Sequence, residues 1–386
     1  MFVLLSYNAL LPVVVLTLLR SIQRETYTTF LNFVVLSGFG AFSAAIFGLI
    51  FSELIDGFPC PNLAIHGLAW YGTVFLVASA ILMYRQKRNN GKPRRYIPSL
   101  ILITGCVYCG LAVNSLLIEP TALVVREITI TTSKITQPIT IVFCADMQTR
   151  HIGRYERWVL QQIQEQNADV IIFGGDYLQG RDDEENLQVI KDWNQLFREI
   201  NLQAPLGIYA VQGNRETRVP WQEMFTDTAI VPNGGTITRQ LGEIQVTFLS
   251  LWRSMQKHPV PNSGQEDKFR IIVGHVPIFA MAEQEADLLL AGHTHGGQIQ
   301  IPFLGPITTN TGGLVPRSMG HGVTPLPNGS TLIVSHGSGS VQQRVRFRCR
   351  PDIWVIRLMP CPSTSSRFRY RMYRFYPLLL SERLRR

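Results

Sequence analysis

The 386-residue chain is 46% hydrophobic and only 16% charged, with 36 Lys and Arg against 27 Asp and Glu for a formal net charge of +9. That balance argues against a wholly soluble protein, and the length leaves room for two domains. The skew is local: ahead of about Glu119 long apolar runs carry sparse charge, and beyond it the mixed patterning and turns of a globular domain take over.

Four runs, residues 2–19, 30–51, 63–84 and 97–118, approach or reach the roughly 20 residues a helix needs to cross a bilayer. One such run would suit a buried core helix equally well, but four in succession with short polar breaks predict four transmembrane helices. The first is also readable as the apolar part of a signal peptide, although it lacks a basic start and a clear small-residue cleavage site. Orientation follows from Lys and Arg in short loops, which stay cytoplasmic. Arg85, Lys87, Arg88, Lys92, Arg94 and Arg95 follow the third run, Arg20 and Arg24 follow the first, and the loop with Glu53 and Asp56 between them has no Lys or Arg. The expectation is a multi-pass membrane protein whose globular domain is extracytoplasmic. The runs hold few ionisable groups that would mark a transport path. Cys106 and Cys109 have CxxC spacing but lie in the fourth run with no second pair, so they read as packing residues; whether Cys349 pairs with Cys361 stays open.

From Pro138 onward, periodicity predicts strands at 139–144, 170–173, 207–211, 244–249, 270–273, 287–290, 331–334 and 353–357, with a helix over 155–166. The chemistry sits where strands end: Asp146 and Gln148, then Asp176, then Asn214, Arg215 and Glu216, then His275, then His293 and His295. Carboxyl ends of strands in an open α/β sheet share one rim, so groups far apart in sequence can meet there. Carboxylate oxygen from Asp146 and Asp176, amide oxygen from Asn214 and imidazole from His275, His293 and His295 suit borderline divalent cations. One carboxylate can bridge two such ions about 3.5–4 Å apart, an arrangement that clamps phosphoryl oxygens and activates water. Each element alone has an ordinary explanation, as cap, turn or hydrogen-bonded histidine. Five in this order predict a metal centre.

At these residues the sequence resembles the calcineurin-like metallophosphoesterase superfamily, whose pattern is Asp-x-His, Gly-Asp, Gly-Asn-His-Asp/Glu, a His, then Gly-His-x-His. The resemblance covers roughly residues 138–357. The stretch 290–299 with Pro302 and Gly305, and the late segment 345–352, resemble its membrane-associated bacterial YkuE/YaeI-like branch. The resemblance implies a four-layer αββα sandwich following the transmembrane helices, and two divalent ions, manganese first with iron or zinc as alternatives. It places Asp146, Gln148, Asp176 and His295 around one ion and Asp176, Asn214, His275 and His293 around the other, Asp176 bridging. It also implies a bacterial inner or plasma membrane.

Two positions depart from the pattern. Gln148 stands where the family has its first His, offering an amide oxygen but no imidazole; His151 is a possible substitute. Arg215 stands where most members have a second His. Guanidinium keeps its proton near neutral pH but binds phosphate oxygens bidentately, which suits a leaving group already acceptable as an anion, such as a phosphate in a pyrophosphate. The same Gly-Asn-Arg resembles that of the UDP-2,3-diacylglucosamine pyrophosphatases of lipid A synthesis, whose nucleotide-sugar substrate is cytoplasmic, in conflict with the loop charges. Catalysis is expected from Asp176 and Arg215 and substrate contact from Arg215 and Glu216; His321 and His336, in Gly-rich loops after the metal motifs, could reach the substrate but better suit a surface role.

The domains expected are a transmembrane region over 1–120, a phosphoesterase domain over 121–360 and a basic aromatic tail over 361–386. Arg alternates with Phe and Tyr in that tail, which suits an anionic membrane surface better than nucleic acid. Membrane lipids and a phosphorylated lipid or lipid-linked substrate are the expected partners. The competing class is a membrane receptor or scaffold that kept the fold and lost efficient chemistry.

Overall fold

The computed structural model describes residues 96–261, 267–339, 341, 344–361 and 367–375, together with positions 73, 76, 77 and 80. The expected spans at 2–19 and 30–51, nearly all of 63–84, and Cys60 lie outside the described residues. Helix α1 (Tyr96–Val113) runs on through a π-turn (Asn114–Ile118) into a 3-10 turn (Glu119–Thr121), where Pro120 has no N–H with which to continue the ladder. Within it, Ser99–Thr121 is the one helix among the described residues that is long and apolar enough to cross a membrane, by length and composition. The chain divides into two compact units, 1–114 and 115–386.

The second unit opens with β1 (Val124–Thr132) and β2 (Ile139–Cys144), then alternates α2 (Arg154–Gln164), β3 (Val170–Phe173), α3 (Asp183–Ile200), β4 (Ile208–Val211) and β5 (Ile230–Asn233). It continues through β6 (Ile237–Leu241), β7 (Ile244–Phe248), β8 (Phe269–Val273), β9 (Leu288–Ala291) and a short hairpin of β10 (Gln300–Ile301) and β11 (Gly305–Pro306). Strands β12 (Gly322–Pro325), β13 (Thr331–Val334), β14 (Asp352–Pro360) and β15 (Arg367–Phe375) complete it. One sheet has the order β15-β1-β14-β2-β3-β4-β5 and the other β12-β13-β9-β8-β7-β6. Both are mixed: β2, β3, β4 and β5 run parallel, as do β7, β8, β9 and β13, while β14 pairs antiparallel with β2 and β6 with β7.

The central strands are continuous apolar runs because both of their faces are covered. Between the sheets, Ile128, Ile141, Phe143, Ile172 and Trp354 from one meet Val246, Phe248, Ile271, Val273 and Leu290 from the other. On the outer face of the larger sheet, α3 buries Val189, Ile190, Trp193, Leu196 and Phe197. Its start is fixed by the Asp182 carboxylate, which accepts the Glu185 N–H at 2.8 Å, with Asp183, Glu184 and Glu185 facing the positive end of the helix dipole. The outer face of the smaller sheet, with Ile272, Leu289 and Leu332, is closed by Phe279 and Ala280 from a 3-10 turn (Pro277–Met281) and by loops. Among the described residues the fourth layer of the expected αββα sandwich is therefore built from turns, loops and the single-turn helix Leu251–Ser254. Of the expected tail, residues 367–375 form β15, paired antiparallel with β1 at the sheet edge. No disulfide joins Cys349 to Cys361 or Cys106 to Cys109.

Candidate metal centre

The parallel strands of both sheets end at one rim, and each chemistry-bearing loop leaves from such an end: Asp146 after β2, Asp176 after β3, Asn214 after β4, His275 after β8, His293 and His295 after β9. Two sets of donor atoms lie within 4.8 Å of one another: Asp146, Asp176 and His295, and Asp176, His275 and His293. Asp176 belongs to both.

The loops turn sharply to achieve this. Asp146, Asp176, His293 and His295 all adopt positive φ, between 50° and 70°. For residues with a Cβ this costs on the order of 1 kcal/mol each, and such conformations gather where the surrounding structure over-determines them for function. Two glycines make the close approach possible. A Cβ on Gly213 would lie 2.2 Å from both the Asp176 nitrogen and its Oδ1, and one on Gly292 would lie 2.7 Å from Asp146 Oδ2.

The hydrogen-bond pattern fits a cation. His275 Nδ1 donates to the Gly174 carbonyl at 2.8 Å, leaving its Nε2 as an acceptor 3.1 Å from Asn214 Oδ1 and 3.4 Å from Asp176 Oδ1. His293 Nε2 faces the Asn310 carbonyl at 3.2 Å and must donate to it, which leaves Nδ1 as an acceptor 2.9 Å from the same Asn214 oxygen. Lone pairs from two imidazoles, an amide and a carboxylate thus converge with no donor among them. Such a cluster needs a proton or a cation. In the neighbouring set, fully buried His295 has neither ring nitrogen hydrogen-bonded, although Asp146 Oδ1 lies 3.9 Å from its Nε2, and the Gln148 Oε1 beside it is buried without a partner. Orphaned buried polar atoms of this kind fit a divalent ion in each set.

The electrostatics point the same way. Burial pushes the Asp146 carboxyl up, against the opposing pull of His275, to about 8. Burial pushes the Asp176 carboxyl up as well, but the His275 charge, its hydrogen bond and the Arg215 N–H outweigh this and hold Asp176 below the usual carboxylate range. His275 goes up to about 10, because Asp176 and Asp146 overcome the opposite effect of burial. Burial and the neighbouring His275 take His293 down to about 4. The cluster thus holds protons tightly at some positions and lone pairs open at others.

Each predicted residue can now be located. Asp146, Asp176, Asn214, His275, His293 and His295 come together. Gln148 lies beside them, donating through Nε2 to Asp176 Oδ2 at 2.6 Å. His151 is exposed and belongs to neither donor set, so it does not stand in for the missing imidazole. Arg215 is half-buried in a 3-10 turn (Asn214–Glu216), its backbone N–H on Asp176 Oδ1 at 2.9 Å. Glu216 is the residue expected to contact substrate beside Arg215. Its carboxylate is fully buried and accepts the N–H groups of Asp176, Tyr177, Leu178 and Gly213, clamping two metal-site loops together. His336, expected at the periphery, is buried beside Asp352 and Arg126.

Sequence reasoning did not single out Arg346. Its fully buried guanidinium donates to the carbonyls of His336, Gly337, Gly339 and Cys349 at 2.6–3.1 Å, with no carboxylate in ion-pair range among the described residues. It braces the 335–339 loop behind the centre, where Gly339 N–H meets the Asp146 carbonyl at 2.8 Å and a Cβ on Gly337 would lie 2.7 Å from Asp146 Cβ. The only signal was its place in the late 345–352 segment.

Comparison with known proteins agrees with this geometry. Residues 139–297 match the calcineurin-like phosphoesterase family model. The chain is 32% identical over 213 residues to the uncharacterized metallophosphoesterase YkuE of Bacillus subtilis (strain 168), covering 52% of this chain and 71% of that protein. An uncharacterized metallophosphoesterase of Helicobacter pylori (strain ATCC 700392 / 26695) is 24% identical over 253 residues, 61% of this chain and 64% of the relative. The UDP-2,3-diacylglucosamine pyrophosphatase LpxG of Chlamydia trachomatis serovar D is 33% identical over 95 residues, 23% of this chain and 29% of LpxG. With two Asp- and His-built donor sets on a shared rim, the chain belongs to the calcineurin-like metallophosphoesterase family and is a metal-dependent phosphoester hydrolase.

Proposed function

We propose that the protein is a membrane-bound dimetal phosphohydrolase that cleaves a phosphodiester or pyrophosphate bond in a lipid or lipid-linked substrate. The observation that carries the dimetal reading is the convergence of acceptor atoms from His275, His293, Asn214 and Asp176, next to the orphaned imidazole of His295. In this reading Asp146, Gln148, Asp176 and His295 would hold one ion and Asp176, Asn214, His275 and His293 the other, Asp176 being common to both sets. Two bound divalent ions supply charge neutralisation on phosphoryl oxygens and lower the pKa of water. The chain's own residues do the rest. Glu216 and Arg346 fix the loops, and Gly174 sets the His275 tautomer through its carbonyl. Arg215, whose backbone is tied to Asp176, offers its guanidinium to the phosphate as charge and not as an acid.

The membrane reading is supported by the apolar stretch Ser99–Thr121 and by the composition of residues 1–98, which also motivates a multi-pass topology with the catalytic unit outside the cytoplasm. A second reading, hydrolysis of a UDP-linked diacylglucosamine pyrophosphate, is favoured by Arg215 together with the partial similarity to LpxG, and it requires the catalytic unit to face the cytoplasm. The pyrophosphate form of the first reading shares with the second an anionic phosphate leaving group.

The test is manganese-dependent hydrolysis of bis(p-nitrophenyl) phosphate by the detergent-solubilised full chain. Asp176→Ala should lose at least a thousandfold in rate and bind less than one metal ion per chain. Arg215→His should stay folded and shift preference toward poorer leaving groups. Metal content below two ions per chain in excess manganese, with no hydrolysis of this diester or of lipid pyrophosphates, would support a degenerate receptor or scaffold instead.

A further inference from the structure

Immediately after the metal-site loop, the β10–β11 hairpin carries a concentration of apolar side chains that the catalytic reading does not use. Phe303 at its tip is fully exposed and Leu304 is 72% exposed, with Ile301 and Ile307 at the base also exposed; in the loop that follows, Leu314 is 63% exposed. Phe303 holds φ at 68°, an outlier for a bulky residue, and it gains no burial in return. Solitary exposed apolar residues need no explanation, but a clustered patch marks an interaction surface.

Through the 344–350 segment, the hairpin is joined by hydrogen bonds to residues 115–119, which open the second unit. Arg346 N–H donates to the Ser115 carbonyl at 2.9 Å, Phe347 N–H to Gln298, and Gln300 N–H back to Phe347, both at 2.9 Å. Cys349 N–H donates to the Glu119 carboxylate at 2.5 Å. The helix end itself exposes Leu117 and Ile118. Between helix end and hairpin runs the 344–350 segment, with Arg344, Arg348 and Arg350 exposed, and Arg317 is exposed near Leu314. On the other side, the loop after the hairpin reaches the metal centre through the Asn310 carbonyl on His293.

Apolar tips flanked by exposed guanidinium groups, tied to an apolar helix end, match one environment: the interface of a bilayer with anionic headgroups. We propose that the 300–307 hairpin and Leu314 form the surface by which the catalytic unit rests on such a bilayer, presenting the metal centre to phosphoryl groups at headgroup level. This deepens the lipid-substrate reading and rests on it for the substrate's location. The hairpin reaches roughly 10 Å beyond its base, enough for Phe303 and Leu304 to enter the headgroup and upper acyl region.

The experiment places the full chain in nanodiscs of phosphatidylcholine and phosphatidylglycerol and introduces Phe303→Trp, subtracting the emission of the parent chain with its six tryptophans. The added emission should be blue-shifted by about 10 nm or more relative to the same variant in detergent-free denaturant, and brominated phospholipids should quench it by more than half. Emission like that of a water-exposed indole, unchanged by brominated lipid, overturns the proposal. Independently, the Phe303→Asp/Leu304→Asp double variant should keep hydrolysis of bis(p-nitrophenyl) phosphate within twofold. Hydrolysis of phosphatidyl-p-nitrophenol embedded in the same nanodiscs should drop at least tenfold. Equal loss on both esters, or loss on neither, also overturns it. If the parent hydrolyses neither ester, the phosphohydrolase reading fails by itself, and the Phe303→Trp quenching still decides whether the hairpin meets the bilayer.

Discussion

His275 shows how a few atoms decide the state of the whole centre. Its Nδ1 is committed to the Gly174 carbonyl, so Nε2 either accepts a cation or takes a proton shared toward Asp176 and Asn214. In the cation-free protein, His275 is held up to about 10 and Asp146 up to about 8, so both keep protons at neutral pH. An incoming cation must displace them. Apparent metal affinity should therefore rise as pH climbs from 6 through 8 and fall on acidification, with at least one proton released per chain. Calorimetric titration with manganese in two buffers of different ionisation enthalpy measures that number, and uptake without proton release would contradict the assignment. Arg346 acts at the same scale from behind. Arg346→Met removes the donor to four buried carbonyls and should destabilise the fold by roughly 3 kcal/mol. Arg346→Lys should recover only part of this, because an ammonium lacks the planar fork that reaches several acceptors at once. Denaturant midpoints compare the variants.

Individual elements divide their work between holding the fold and aiming the loops. Helix α3 covers the larger sheet and touches none of the donor atoms, so its cap is a stability feature alone. Asp182→Ala should cost about 1 kcal/mol and lower Tm by roughly 2–4 °C, with hydrolysis rates unchanged. A loss of activity out of proportion to folded fraction would mean that α3 communicates with the centre. The strand ends behave differently. Gly213 leaves β4 against Asp176 with no space for a Cβ, and Glu216, three residues later, ties the same loop to residues 176–178. These turns accept backbone strain because clamps from both loops over-determine them.

At the scale of the molecule, the donor sets draw on both sheets: Asp146, Asp176 and Asn214 from the larger and His275, His293 and His295 from the smaller. Ions held there would therefore cross-link two layers that apolar packing and a few loop hydrogen bonds already join. Saturating manganese should raise the unfolding free energy by about 2.7 kcal/mol at a hundred times Kd. Removal by a chelator should reverse that gain and lower Tm. Asp176→Ala should be insensitive to both treatments in thermal unfolding. An unchanged Tm for the parent chain would argue against ions bridging the sheets.

Much of this was legible in the sequence because the information was local. Continuous apolar runs at 139–144 and 170–173 coincide with β2 and β3 to the residue, and Asp, Asn, Gly and His after such runs are turn residues with chemistry attached. What local patterning lacked was anything set by distant partners. Strand β1 depends on pairing with β14, more than 220 residues later, and β15 on pairing with β1. Helix α3 begins in an acidic run, and its Trp193 and Phe197 find burial only where a sheet is there to receive them. Glu216 looked like a substrate contact and Arg346 went unnoticed, since a side chain's burial and the number of backbone groups around it exist only in three dimensions. Donor types, their order along the chain and the strands that carry them are local properties of the amino-acid sequence. Which donor atoms converge, which charge clamps a loop and which apolar hairpin follows the centre are properties of the folded chain, because they depend on two sheets meeting at one rim.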